Sequence, residues 1–379
     1  MAGSYKAGSS KDSLQSSAAP KRLRNHWLLG SASAVLIGTI VSACSGMDQT
    51  ASTSGAHSEA VGEQTDLLSD GSPAAGASAT GSNAAAGNTA AGNRVEFCYR
   101  GEQMVRPVSV YNANRSRGAY LGACDLVENR TSLGDGYVQT FIHRNSDGSL
   151  RAIGVQIDQV AMDTLPMEPV NDGATCFDQD GDGELDPHME CSGGHERVLF
   201  FPKVDGLPIS WIMFNWQSMG HAPMNVFDKA HFDLHYFIQD YISRNFIRTG
   251  PCGTQVNCDD FDKAMRDIPA PFFPVGFENV GGVAGRMGNH LVNKSEAPFN
   301  GEPFTQAFAY GEYDAHLSFF EPVVGTDYLK TRPNTCGAIK PPPAVELSGL
   351  YPKKYCSRFR ADRGDYIMTL EDFEYRAAP

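Results

Sequence analysis

The sequence predicts a mainly β fold of the α+β class, an antiparallel sandwich or barrel with a few short helices and long loops. Three observations predict it. Aromatic and β-branched residues gather in runs of strand length, helical signals are short, and 22 Pro and 39 Gly among 379 residues punctuate the intervals. Residues 137–143 and 150–157 flank the turn sequence Asn145-Ser146-Asp147-Gly148 and read as a hairpin. Residues 197–201, 209–216, 231–237, 304–313 and 316–321 read as further strands. Helices are expected only at 158–165, 259–265 and 325–329. No internal repeat is present.

These elements belong to one β-rich domain over residues 94–379, about 285 residues and enough for a substantial core. What precedes it differs in kind. Lys21, Arg22 and Arg24 form a cationic patch, followed by an uncharged stretch over residues 27–43. That stretch is too short and too rich in Gly, Ser and Ala for a membrane span, but it suits the core of an export signal. It ends in Val41-Ser42-Ala43-Cys44, where small side chains precede a thiol, as at a lipoprotein cleavage site. Residues 1–43 are therefore expected to be a signal peptide. Cys44 is expected to carry the lipid that holds the mature chain to a membrane. An uncleaved anchor with an incidental cysteine is the alternative. Ser45, in place of an inner-membrane Asp, points to the outer membrane if the cell has one, otherwise to the outer face of the cytoplasmic membrane. Residues 44–93 are Ala, Gly, Ser and Thr with almost no large apolar side chain, which predicts a disordered tether. The net charge of -13 argues against a nucleic-acid or anionic-lipid surface partner.

Nine cysteines less the lipidated one leave an even eight, which in an exported chain reads as disulfides. Spacing suggests Cys176-Cys191, Cys252-Cys258 and Cys336-Cys356, with Cys98-Cys124 left by elimination. No two form a CxxC pattern, so a zinc ribbon or thioredoxin-like centre is not expected.

Residues 178–190 carry acids at positions 1, 3, 5 and 9 of a calcium loop and Gly183 at position 6, where the chain must turn. Asp178, Asp180 and Asp182 would offer side-chain oxygens, Glu184 its carbonyl, and Asp186 a ligand directly or through water. Position 12 departs from the pattern: Met189 stands there, and Glu190, one residue on, is the substitute. Flanking helices are missing, and Cys176 and Cys191 are expected to clamp the ends. The competing reading is a solvated acidic turn. Bound calcium would stiffen the loop rather than catalyse.

A second constellation is histidine-rich. On a strand, residues two apart share a face, so His231, Asp233 and His235 point one way and Phe232, Leu234 and Tyr236 the other. The polar stripe is expected to line a cavity. His221 follows Ser218-Met219-Gly220, and His290 follows a Gly-rich stretch at Gly281-Gly282-Val283-Ala284-Gly285 that reads as a loop. Glu321 is expected on the face of Leu317 and Phe319, a costly place for a carboxylate without a cation or donors. Several imidazoles with carboxylates make the ligand set of zinc or another transition metal such as iron or manganese. His231 and His235 would lie about 13 Å apart along a strand, near the limit for one ion, so Asp233 with His235 and a distant residue is easier. A hydrogen-bonded polar core and metal-free acid/base chemistry remain as alternatives.

Gly220-His221-Ala222-Pro223, His231-Phe232-Asp233-Leu234-His235-Tyr236-Phe237, Met287-Gly288-Asn289-His290 and Tyr310-Gly311-Glu312-Tyr313 through Phe319-Phe320-Glu321-Pro322 occur in that order. Together they resemble the signature of a bacterial domain-of-unknown-function family of exported or lipid-anchored proteins, one characterised relative being controlled by an envelope-stress sigma factor. Ala152-Ile153-Gly154-Val155 and Leu165-Pro166 are similar to that family's opening hairpin and helix. The resemblance covers roughly residues 137–329. It implies a β-rich exported domain with a shared histidine-lined site and no established reaction. The chain departs from the pattern at Leu291, where an aromatic is usual, and at Val323, where Met is usual. The acidic loop and most cysteines are additions to the family core.

No GxSxG motif occurs, and Ser218 near His221 is weak support for a nucleophile. Two readings follow: an anchored envelope protein that binds a small-molecule ligand or partner, or a metal-dependent hydrolase or lyase.

Overall fold

The expected hairpin at Asn145 forms, as part of a larger six-stranded sheet. The computed structural model describes residues 93–168, 170, 176–191 and 193–379, so the signal, lipidation and tether assignments lie outside the described residues. The described chain opens with β1 (Arg94–Tyr99), β2 (Glu102–Pro107), α1 (Val108–Arg115) and β3 (Tyr120–Leu121), then β4 (Leu126–Leu133), β5 (Gly136–Arg144), β6 (Leu150–Asp158) and α2 (Gln159–Asp163). It continues through β7 (His195–Phe200), β8 (Trp211–Gln217), β9 (His231–Phe237), α3 (Tyr241–Arg244) and α4 (Cys258–Ala264). Next come β10 (Glu278–Ala284), β11 (Gly288–Val292), β12 (Gln306–Tyr313), β13 (His316–Gly325) and α5 (Thr326–Lys330). The end is β14 (Asn334–Ala338), β15 (Gly349–Tyr351), β16 (Lys354–Arg360), β17 (Asp365–Glu371) and β18 (Glu374–Arg376).

Two large antiparallel sheets share the main core: seven strands in the order β10-β11-β12-β13-β9-β8-β7 and six in the order β14-β16-β17-β6-β5-β4. Neither closes, so the fold is of the sandwich rather than the barrel kind. Phe232, Leu234 and Tyr236 of β9 meet Val155 of β6 and Met368 of β17 in that core, and the Tyr236 hydroxyl donates to the Met368 carbonyl at 2.9 Å. Each such side chain removed from water contributes about 1.5–3 kcal/mol. The opposite face of β9 therefore points away from the sandwich, and Pro223, Phe227, Thr254 and Phe299 line the space beside it.

Three sequence expectations change. Residues 281–285 are not simply a loop: β10 runs through Ala284, with a bulge against β11 between Asn279 and Gly282. Gly281 supplies the positive φ of 72° that such an irregularity takes. Leu317 does not share the face of Glu321, because a register shift in the β12–β13 ladder, Gly311 opposite Phe319 but Glu312 opposite Leu317, inserts Ser318 and turns Leu317 into the main core. Strands β1 to β4 and β14 to β18 carry no expected element. Most of β4 and β14 is exposed, so neither shows an apolar alternation.

The eight described cysteines pair as expected, with sulfur–sulfur distances of 1.96 Å for Cys98-Cys124, 2.14 Å for Cys176-Cys191, 1.97 Å for Cys252-Cys258 and 2.13 Å for Cys336-Cys356. Four disulfides fit an oxidising compartment, extracellular or in the cell envelope. Among the described residues no helix is long and apolar enough to cross a membrane.

Candidate metal centre

Strand periodicity puts His231, Asp233 and His235 on the outer face of β9, and all three are at most 2% exposed. Ladder partners complete the floor. On β8, Gln217 stands opposite His231 and Asn215 opposite Asp233; on β13, Val323 stands opposite Asp233. Glu321, 4% exposed, lies two residues before Val323 on the same face.

His290 stands two strands away on β11, with β12 between. It is paired with Gly311, while Ala309 of β12 is paired with Glu321. The bare backbone at Gly311 takes the Phe319 ring, which packs against His290, and His290 Nε2 lies 3.6 Å from Glu321 Oε2. His221 arrives from the loop between β8 and β9. Gly220, at a φ of 75°, makes the turn, and a Cβ there would sit 2.4 Å from backbone atoms of Phe227 and Lys229.

The six residues divide into two groups, each with its ligand atoms within 4.8 Å of one another: His221, His231 and Asp233; His235, His290 and Glu321. Either group could hold a metal ion. Asp233 thus joins His231 rather than His235, since Nε2 of His231 lies 3.0 Å from Asp233 Oδ1, while Nε2 of His235 lies 3.2 Å from Glu321 Oε1. The expected difficulty of reaching one ion from both His231 and His235 is resolved by separation.

The rings are oriented alike. Nδ1 of His221 faces the Ala222 carbonyl at 2.7 Å, Nδ1 of His231 the Lys229 carbonyl at 2.6 Å, Nδ1 of His290 the Gly282 carbonyl at 2.7 Å, and Nδ1 of His235 the Met213 carbonyl at 3.3 Å. A carbonyl only accepts, so each Nδ1 must carry the proton. In the neutral ring that leaves Nε2 a bare lone pair, the arrangement that second-shell carbonyls impose on metal-binding histidines. The Nε2 atoms of His221 and His231 face each other at 3.2 Å, a contact that two lone pairs do not favour without a cation or proton between them. Asp233 Oδ1, His235 Nε2 and Glu321 Oε2 are buried and face only groups of their own set, His231 Nε2 at 3.0 Å, Glu321 Oε1 at 3.2 Å and His290 Nε2 at 3.6 Å. These contacts need a proton or a cation between the two atoms. Gln217, which sequence reasoning passed over, donates from Nε2 to Asp233 Oδ2 at 3.1 Å and orients it.

Without an ion, protons balance the charge. Burial opposes charging His221, but its hydrogen bond to Asp233 and that residue's charge outweigh it, and the pKa is raised. Burial likewise opposes charging His235, and the Glu321 carboxylate overrides it upward. At His290 burial prevails and the pKa falls. Burial pushes Asp233 upward, yet the His231 and His221 imidazoles hold it well below the ordinary carboxylate range.

A small cavity of about 120 Å³ opens on both groups, lined by His221, Asp233, His235, His290 and Glu321 and otherwise largely by apolar side chains, Val280, Val292 and Phe299 among them.

The acidic loop is folded on itself. Asp178 accepts from the amides of Gly181 and Gly183 at 2.7 and 3.0 Å, Asp180 from Asp182 at 3.0 Å, and Asp182 from Glu184 at 2.8 Å. Glu190, 6% exposed, accepts from the amides of Gln179 and Asp186 at 2.6 and 3.0 Å, while Met189 at position 12 is 50% exposed. Asp178, Asp180 and Glu190 form a third group that could hold an ion; Asp182, Glu184 and Asp186 fall outside it. The loop also braces the cover of the histidine site. Its His188 carbonyl accepts from the Ala222 amide at 2.9 Å, and Gln179 Nε2 donates to the Gly253 carbonyl at 2.8 Å.

No family description, curated protein or solved structure matches the chain.

Proposed function

We propose that this chain is an exported, membrane-anchored protein of the cell envelope, held by a lipid on Cys44. Its β-sandwich carries a buried transition-metal centre that binds a small ligand. The observation that carries the metal reading is the common orientation of four imidazoles, each with Nδ1 on a main-chain carbonyl and Nε2 turned toward buried carboxylates. Two His₂-carboxylate sets suit zinc, iron or manganese. Metal would displace the protons that balance Asp233 and Glu321, so affinity falls as pH falls. Calcium at Asp178, Asp180 and Glu190 is the proposed occupant of the acidic loop, where it stiffens the cover of the site. The motifs at Gly220-His221-Ala222-Pro223 and His231-Phe232-Asp233-Leu234-His235 are the grounds for placing the chain beside the exported family of unknown function.

A second reading, a metal-dependent hydrolase or lyase, draws on the cavity against the ligand atoms, which offers an open coordination position. Elemental analysis of protein purified without chelator tests the common premise. The expected result is stoichiometric transition metal in the wild type and less in His235→Ala. Protein that takes up none, even after dialysis against Zn²⁺, Mn²⁺ and Fe²⁺, would end it.

A further inference from the structure

We propose that the centre is paired, with one divalent ion in each His₂-carboxylate group, and that its exogenous ligand is a small carboxylate with a short apolar tail. This rests on the metal reading above. The first part follows from unmet demand in both groups. Asp233 Oδ1 in one, and His235 Nε2 and Glu321 Oε2 in the other, belong to residues buried to at least nine-tenths and face only lone pairs of their own set at 3.0 to 3.6 Å when the imidazoles are neutral. No carboxylate belongs to both groups, so one ion satisfies one set and leaves the other bare.

The second part is a count of charge. Four neutral imidazoles, two carboxylates and two divalent ions leave two positive charges in a buried site. Among the described residues lining the cavity no other acid is present to offset them. Residual charge in an apolar enclosure is costly, so anions must enter with the ions. Cavity walls select among anions. Val280, Val292, Val323, Met287 and Phe299 face the space, and no Lys or Arg does, so an anion with an apolar body is favoured over phosphate. The volume, about 120 Å³, is far below the roughly 300 Å³ floor of drug-sized pockets, which limits the ligand to a few carbon atoms. Access is through the partly exposed edges of His221 and His290, whose side chains are 22% and 19% accessible.

The experiment uses the whole protein reconstituted with Co²⁺, whose visible bands report on coordination. Elemental analysis is expected to find two ions per chain in the wild type and one in each of Asp233→Asn and His235→Ala. Asp233→Asn conserves shape and covers the case where the alanine variant fails to fold. Titration with butyrate is expected to shift the bands and saturate roughly tenfold below acetate, from two more buried methylenes. Butanol, which lacks the charge, is expected to leave the bands unchanged. One ion per chain overturns the pair and leaves the metal reading standing, whereas none overturns both. Two ions whose bands ignore every carboxylate, or respond to inorganic phosphate as readily as to butyrate, overturn the ligand.

Discussion

Replacing Gly311 by alanine sets two effects against each other. Taken alone, glycine within a strand weakens it, and alanine should stabilise by roughly 0.5–1 kcal/mol. The structure predicts the opposite sign. A Cβ at residue 311 would stand 2.1 Å from Cε1, 2.2 Å from Cδ1 and 2.4 Å from Cζ of Phe319. Ordinary carbon contacts are about 3.5–4.0 Å, so the ring must retreat by about 1.5 Å. It has no free direction. Phe319 is wholly buried, with ring centroids of His235, Phe237 and His290 at 4.9, 5.0 and 5.3 Å. Overpacking of this kind costs about 1–3 kcal/mol, and the margin over the glycine effect lowers the melting temperature by roughly 1–4 °C in a domain of this size. Because two of those neighbours are metal ligands, the His235-His290-Glu321 group should lose about 10- to 100-fold in metal affinity. The group of His221, His231 and Asp233 should hold. Calorimetry of apoprotein and metal titration of both variants measure the two effects. A Gly311→Ala protein as stable as the wild type, with both affinities unchanged, would refute the claim that this site exists because β12 lacks a side chain there.

Two further outcomes follow from other parts of the molecule. Chelating calcium should lower the melting temperature of the wild type, and Asp180→Ala should abolish the difference. Through the Ala222-to-His188 hydrogen bond, chelation should also loosen metal held by His221, and a wild type indifferent to chelator would remove calcium from the loop. Burial raises the Glu312 carboxyl to about 7 despite donation from Asn289 and, at 3.0 Å, Asn279. A carboxyl raised above its unfolded value keeps its proton longer when folded, so stability is full below the unfolded pKa and is lost as pH rises toward 7. The loss is on the order of 3 kcal/mol. Glu312→Gln should flatten the stability profile between pH 5 and 8, measured by denaturant unfolding, and parallel profiles for the two proteins would contradict the shift.

Much of this was legible in one dimension. Alternation over residues 231–236 separates three apolar from three polar side chains whatever the fold around them, because strand geometry has a period of two. The cysteine spacings limit loop closure enough to suggest the pairs that form. The acidic loop states its own turn through Gly183. Tertiary structure decided the rest. Whether Asp233 serves His231 or His235 depends on side-chain directions that no spacing encodes, and the answer divides one expected centre into two. The role of Gly311 is invisible in sequence, since a missing side chain acquires meaning only when the Phe319 ring, packed against His235 and His290, must lie over it. Leu317 and Glu321 share a parity in sequence but not a face, because a bulge at Ser318 breaks the count. Local periodicity is a property of the backbone; convergence of four imidazoles on two carboxylates is a property of how distant strands align, and that alignment is set by the packing of the whole sandwich.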